Sequence, residues 1–366
     1  MKKISLVVSD VSATNSLFSK VSSILAAQVF AIDNVNAEML CSSSVVVVDF
    51  ASASGAQLAH LKGVLEQLTE TVSIGCVDLS NRQQVVQAKA IGLSELLERD
   101  FDGLVVKLRA LAGNYAISVL PEATPAATRE AVVDCCNTMD QLALAAITQK
   151  PFPIRSVAMS VQSVMAVLQS DGMDNWLTAV QSHHSHTFCH SMLVAGYAVA
   201  FAKLLGLSEE EQTLLGLGAL VHDVGKVRIP LAILDKPGKL TREEYALVKR
   251  HPVYSKEILD GRPEIFPAVR DIALQHHEFL DGTGYPEGLS GDQISHLVRI
   301  TTICDIYSAL TEKRSYKQSY APRQAYGILF DMTEKVDQDL LRKFQPVIFK
   351  ADVGAVKRRP RERVVR

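Results

Sequence analysis

The chain has six cysteines, at 41, 76, 135, 136, 189 and 304, with no CxxC and no other paired spacing. That argues against a zinc finger and a disulfide framework, and for a reducing, cytoplasmic setting. A strong net charge is missing too. The 38 Lys and Arg stand against 40 Asp and Glu, which leaves −2. Without a global positive field, neither nucleic acid nor an anionic membrane is an expected partner, and an anionic ligand must be drawn by a local basic or metal-rich site. Long apolar runs are lacking as well. MKKISLVVSD breaks at Ser9 and Asp10, too early for a signal peptide or a membrane span, and VVVV at 45–48 has the length of a buried strand. No internal repeat occurs. A hydrophobic share of 48% with 21% charge describes a globular chain, and 366 residues leave room for two or three cores. Histidine is nearly absent from the first half: of ten, only His60 precedes His183, and the other nine fall between His183 and His296.

What is present in the first part is an alternation. ISLVV (4–8), QVFAI (28–32), SVVVVDF (44–50) and VSIGCVD (72–78) read as strands. SLFSKVSSILAA (16–27), QLAHLKGVLEQL (57–68) and FDGLVVKLRALA (101–112) read as helices. This predicts a doubly wound α/β domain with a parallel sheet, whose active edge lies at the carboxyl ends of the strands, where Asp10 and Asp49 fall. Residues 1–115 resemble a response-regulator receiver domain. The resemblance implies phosphorylation at Asp49, but only Ser9-Asp10 stands where an acidic pair is usual, and Glu98 or Arg99 where a Lys is usual. A degenerate receiver, or an Asp49 that merely caps the next segment, is the competing expectation. SVLPEATPAATRE (118–130) reads as a linker, and residues 116–182 as linker plus helices that relay a signal, dimerise or pack on the following domain. VKRRPRERVVR (356–366) reads as a basic, disordered tail, placed at 351–366.

The chemistry lies further on. In ALVHDVGK (219–226) an apolar helix delivers His222 and Asp223, with Gly225 loosening the backbone before Lys226. Imidazole plus carboxylate suits Mn, Fe or Zn, and a carboxylate bridges two ions. His251-Pro252, then His276-His277-Glu278, DGTGYP (281–286) and Asp305 follow. Adjacent histidines on a regular helix point about 100° apart, so both reach one site only near a helix end or in a multi-metal cluster. Asp305 sits in an apolar helix, where a metal or a buried hydrogen bond must stabilise it.

In this order and spacing, HDVGK, IP at 229–230, LDKPGKLTREE (234–244), His251-Pro252, HHE, DGTGYP and Asp305 with ALTEKRSYK (309–317) resemble an HD-GYP domain, the cyclic-di-GMP phosphodiesterase branch of the HD metal-dependent phosphohydrolases. The resemblance covers 183–350 and implies an all-α HD-type bundle. Thr187-Phe188-Cys189-His190-Ser191 fits the family's first ligand pattern, so His190 joins His222, Asp223, His251, His276, His277 and Asp305 as implied metal ligands. His186, one turn earlier, stands where some members hold a third metal. Two Fe or Mn ions, or three, are implied, with Asp223 bridging, Asp223 and Lys226 catalytic, and Arg314, Lys317 and Tyr285 binding substrate. The implied reaction hydrolyses cyclic-di-GMP to pGpG or GMP. Diguanylate cyclases with GGDEF domains are implied partners of the GYP loop, and a homodimer is open. Phe279, Ser308 and His186 depart from the family's usual Arg, Asp and Glu. They leave open a catalytically weak sensor or adaptor, and a hydrolase for another cyclic dinucleotide such as cyclic GMP-AMP.

Overall fold

The computed structural model describes residues 3–356 apart from 12–16, 19–20, 23–26, 52, 69–70, 101–103, 105–107, 109–119, 183–185, 230, 235, 237 and 313–318; at 148, 186–188, 231–232 and 349–356 only the backbone is described. Met1–Ser118 and Val119–Arg366 are two compact units.

In the first unit, strands β1 (Lys3–Val8), β2 (Gln28–Ala31), β3 (Ser43–Asp49), β4 (Val72–Val77) and β5 (Glu95–Glu98) form one sheet. Its order is β2-β1-β3-β4-β5, and all pairs are parallel. This is one of the two common orders of open, doubly wound sheets. The valine run of β3 lacks polar alternation because a central parallel strand is covered on both faces, and Val45–Val48 are all buried. Helix α1 (Gly55–Leu65) starts on a capping box in which Ser54 and Gln57 satisfy each other's backbone N–H. Helix α2 (Arg82–Ala90) starts on Asn81. Leu58, Leu61 and Ala88 from these helices share a core with Val7, Val46, Val48 and Val77 of the strands. The helices expected at 16–27 and 101–112 fall largely outside the described residues.

Asp49 ends β3 and is buried. Arg99 donates to both of its oxygens, Nε to Oδ1 at 2.9 Å and Nη2 to Oδ2 at 3.1 Å. The Ala51 N–H donates to Oδ1 at 3.0 Å. The fork-on-carboxylate geometry is the strong form of an ion pair.

The second unit is helical. Helices α3 (Ala126–Thr148), α4 (Ile154–Ser170) and α5 (Met173–Gln181) precede α6 (His186–Leu204) and α7 (Glu209–Val221). Then come α8 (His251–Leu259), α9 (Pro267–Gln275), α10 (His296–Thr311), α11 (Pro322–Asp331) and α12 (Gln338–Val356). The first three are not a free linker: Val132, Val161, Val164, Trp176 and Val180 belong to the same core as Leu193, Leu220, Ile272 and Ile303. The Trp176 indole N–H donates to the Met192 carbonyl at 3.3 Å, fixing α5 to α6. Because α6 is apolar on every face it is buried on every face, Met192–Val199 included. It stops at Gly206 (φ +71°), where Leu207 N–H reaches back to the Ala202 carbonyl at 3.1 Å. Four residues after α6 ends, α7 starts, capped by Ser208 with Glu211 and carrying Glu209, Glu210 and Glu211 in its first turn, where the helix dipole favours them. Backbone helix runs to Val356, so the tail expected to be irregular from 351 is helical over its first six residues; 357–366 lie outside the described residues. No helix among the described residues is long and apolar enough to cross a membrane.

Replacing Arg99 with Ala strands a buried carboxylate. The first unit is expected to lose about 1–3 kcal/mol, read as a lower urea midpoint for that unit. An unchanged midpoint would show the pair to be dispensable.

Candidate metal centre

The residues that converge do so mainly at helix ends. His222 is the C-cap of α7, and Asp223 opens a 3-10 turn, Val224–Arg228. His251 starts α8 with Pro252 behind it. Because α9 stops at Gln275, His276 is its C-cap and His277 already lies outside the helix, so both rings turn to one place, their centroids 4.1 Å apart. His190 and Asp305 come instead from within α6 and α10.

Three histidines at these helix ends donate to backbone carbonyls just upstream. Nδ1 of His222 donates to Ala219 O at 2.7 Å, Nδ1 of His251 to Val248 O at 2.8 Å, and Nδ1 of His276 to Ile272 O at 3.1 Å. A carbonyl only accepts, so in each ring the hydrogen sits on Nδ1 and the Nε2 lone pair points inward.

These lone pairs surround one carboxylate. Asp223 Oδ1 lies 3.2 Å from His251 Nε2 and 3.9 Å from His276 Nε2. Its Oδ2 lies 3.3 Å from His222 Nε2, 4.0 Å from His190 Nε2 and 2.5 Å from Lys226 Nζ. Asp305 receives His190 Nε2 at 2.8 Å on Oδ1, and its Oδ2 is 3.7 Å from His277 Nδ1. Two triads result, His190–His222–Asp305 and His251–His276–His277, each with its ligand atoms within 4.8 Å of one another; Asp223 also groups with His222 and His276. Among the described residues His222 Nε2 and Asp223 Oδ1 are buried without a hydrogen-bond partner. Buried polar atoms without partners are costly, and lone pairs aimed at one another are costlier. A divalent cation in each triad satisfies them, so the residues fit a metal.

The charges agree. Burial pushes His251 down to about 3 and His277 to about 4, and holds His276 well below its ordinary range, so all three are neutral ligands at neutral pH. Burial also opposes ionisation of Asp223, but the Lys226 charge and His222 outweigh it and keep the carboxyl well below the usual range. For His190 burial alone would lower the pKa, yet Asp305 and Glu312 raise it to about 9. A metal ion must displace that proton to bind there.

Lys226, one turn after Asp223, keeps part of its side chain exposed at the site's edge. Tyr285 stacks on His277 at 4.8 Å between centroids and 29° between planes, and the Lys249 ammonium lies 4.3 Å from the Tyr285 ring centre. His186 opens α6, but its side chain, together with Arg314 and Lys317, lies outside the described residues.

Two acids that the motifs contained without an assigned role, Glu278 of HHE and Glu312 of ALTEKRSYK, carry weight. Glu278 is buried, and its carboxylate accepts three successive amides, from Glu287 at 2.6 Å, Gly288 at 3.1 Å and Leu289 at 3.1 Å. Glu312, also buried, brings Oε2 to 3.6 Å from His190 Nδ1. Its sequence signal beyond that motif is its place seven residues after Asp305, on the same face of an apolar helix. The expected role of Gly225 needs correcting. It does not loosen the turn; it permits contact. A Cβ there would stand 2.0 Å from His251 O and 2.5 Å from Ser255 N, both backbone atoms. In the GYP loop only Gly282 has positive φ, +76°, while Gly284 is required because a Cβ would meet the backbone of Glu278 at 2.5 Å. Gly225→Ala is therefore expected to cost about 1–3 kcal/mol or more and to drive α8 away from Asp223, measurable as a lower melting temperature together with lost metal content. Wild-type values of both would refute the contact.

A family profile described as HD domain matches residues 176–340. A cyclic di-GMP phosphodiesterase of Pseudomonas aeruginosa is 37% identical over 182 residues, covering 50% of this chain and 44% of its own. A 3'3'-cGAMP-specific phosphodiesterase of Vibrio cholerae is 42% identical over 151 residues, 41% of this chain and 29% of its own. The chain thus spans less than half the length of either relative. The solved structure of an HDG"Y"P protein from Bdellovibrio bacteriovorus superposes with a TM-score of 0.50 over 69% of this chain and 81% of that one, at 19% identity, a likeness of fold. Residues 176–340 thus match the HD domain profile, and the histidines and aspartates gathered around Asp223 lie within that match.

Proposed function

We propose that the second unit is a metal-dependent phosphodiesterase for cyclic dinucleotides, with cyclic-di-GMP as substrate and pGpG or GMP as product. The observation that carries this is the pair of triads, each facing one oxygen of the buried Asp223. In this reading His190, His222 and Asp305 would hold one ion and His251, His276 and His277 another, with Asp223 as a ligand open to both. Imidazole and carboxylate ligands suit Fe or Mn. His186 is the candidate for a third ion. When bound, the ions supply an activated water at neutral pH and Lewis acidity at the phosphoryl oxygens. The chain's own part is fixed positioning. The backbone carbonyls of Ala219, Val248 and Ile272 lock three tautomers. Lys226 keeps Asp223 ionised and presents its charge to the phosphate. Tyr285, stacked on His277 beneath Lys249, offers a flat apolar wall with a cation beside it, which suits a nucleotide. Arg314 and Lys317 are proposed for a second phosphate or a guanine.

A second substrate reading is 3'3'-cGAMP, favoured by the Vibrio relative's name and its 42% identity. For the first unit we propose a receiver-like domain, 1–115, supported by the strand order and by Asp49 at the carboxyl end of β3. That Arg99 engages both Asp49 oxygens supports a structural part for this residue over that of a phosphate acceptor. Docking of GGDEF proteins on residues 281–286 is proposed from the family resemblance, whereas the helices at 126–181 are already used in the core.

Purified full chain, loaded anaerobically with Mn²⁺ or Fe²⁺, is expected to convert cyclic-di-GMP. The His222→Ala/Asp223→Ala variant is expected to lose turnover by roughly 10³-fold or more, several kcal/mol of transition-state stabilisation. Metal bound with cyclic-di-GMP left intact would transfer the assignment to 3'3'-cGAMP or another dinucleotide; absence of metal would sink the reading. Lys226→Met is expected to lower kcat by about 10²-fold at unchanged metal content. A change in metal content would instead place Lys226 in support of the ligands.

A further inference from the structure

Four of the ring nitrogens that could hold metal are oriented, but not by the same means. His222, His251 and His276 sit at helix ends, and each donates Nδ1–H to a backbone carbonyl three or four residues earlier. His190 does not. It lies in the second turn of α6, inside the helix. Among the described residues its Nδ1 has no hydrogen-bond partner. What faces that nitrogen is Glu312 Oε2, 3.6 Å away, from a side chain with no exposed surface. Glu312 caps α10, its N–H bonded to Ser308 O at 2.8 Å, so Asp305, Ser308 and Glu312 follow one helical stripe at i, i+3 and i+7. Asp305 addresses Nε2 of the same ring at 2.8 Å. The imidazole thus stands between two carboxylates of one helix, and the intervening residue, Ser308, contributes only a buried hydroxyl without a partner among the described residues.

The geometry points to Glu312 as the positioning residue of His190: its carboxylate accepts Nδ1–H, fixes the ring's tautomer and plane, and thereby tunes the metal position of His190, His222 and Asp305. A carboxylate beside the non-ligating nitrogen of an imidazole orients the ring and raises its basicity as a ligand. The inference rests on the two-metal reading above and adds the asymmetry that His190 is oriented by a side chain where His222, His251 and His276 are oriented by backbone.

The test is Mn²⁺ titration of the full chain, metal-free at the outset, with each bound equivalent resolved, alongside thermal melting. In Glu312→Ala one equivalent is expected to weaken by about 10–100-fold while the other keeps wild-type affinity, and Glu312→Gln, whose amide oxygen still accepts Nδ1–H, is expected to fall between. If Glu312→Ala does not fold, the isosteric Glu312→Gln decides by the same comparison. Wild-type affinity at both equivalents would overturn the inference. So would equal weakening of both, which is what loosened packing would give. A wild-type chain that takes up no Mn²⁺ would overturn the two-metal reading and this inference together.

Discussion

One carboxylate, almost wholly removed from water, sits within 4.0 Å of four imidazole nitrogens and an ammonium. An ionised Asp223 is tolerable in such a place only if those partners are present together, since truncating one leaves buried charge uncompensated. The demand sets the architecture. It requires the end of α7, the start of α8 and the end of α9 to arrive within a few ångströms of one another, with α6 and α10 crossing beside them. Gly225 is the point at which that closure becomes tight, because the turn after Asp223 rests directly on the backbone of α8.

Helix termini answer two needs at once here. They release neighbouring side chains from the helical 100° spacing, which is how His276 and His277 reach one site. They also bring backbone carbonyls within reach of Nδ1, which fixes which nitrogen of each ring is free. His190 and Asp305, drawn from helix interiors, lack that resource and are served by each other and by Glu312.

Legibility in the sequence followed the same division. HDVGK, His251-Pro252 and His276-His277 are local patterns, in which chemistry and helix boundary coincide within five residues, and they were readable. The valine run of β3 was readable because unbroken apolarity over the length of a strand, inside an alternating α/β pattern, marks a strand covered on both faces. His190 could be selected from the four histidines of 183–190 only through a family pattern, since periodicity does not distinguish it. Glu278 and Glu312 stood inside motifs, HHE and ALTEKRSYK, but no pattern named their partners. Each is one acid among 40 acidic residues, and its burial is a tertiary fact. Gly225 shows a different limit: a glycine was recognised, but sequence does not separate conformational need from lack of room, and here the reason was room. Arg99 was noted as standing where a Lys is usual, whereas its two bonds to Asp49 needed coordinates.

The clasp of Glu278 on the amides of residues 287–289 has a mechanical meaning. Glu278 follows His277 directly, and Gly284 lies against the same stretch of backbone. Glu278 thus ties the amides of residues 287–289 to the stretch of backbone that carries the imidazoles at 276–277. The loop is better regarded as the outer rim of the metal site than as a separate appendage.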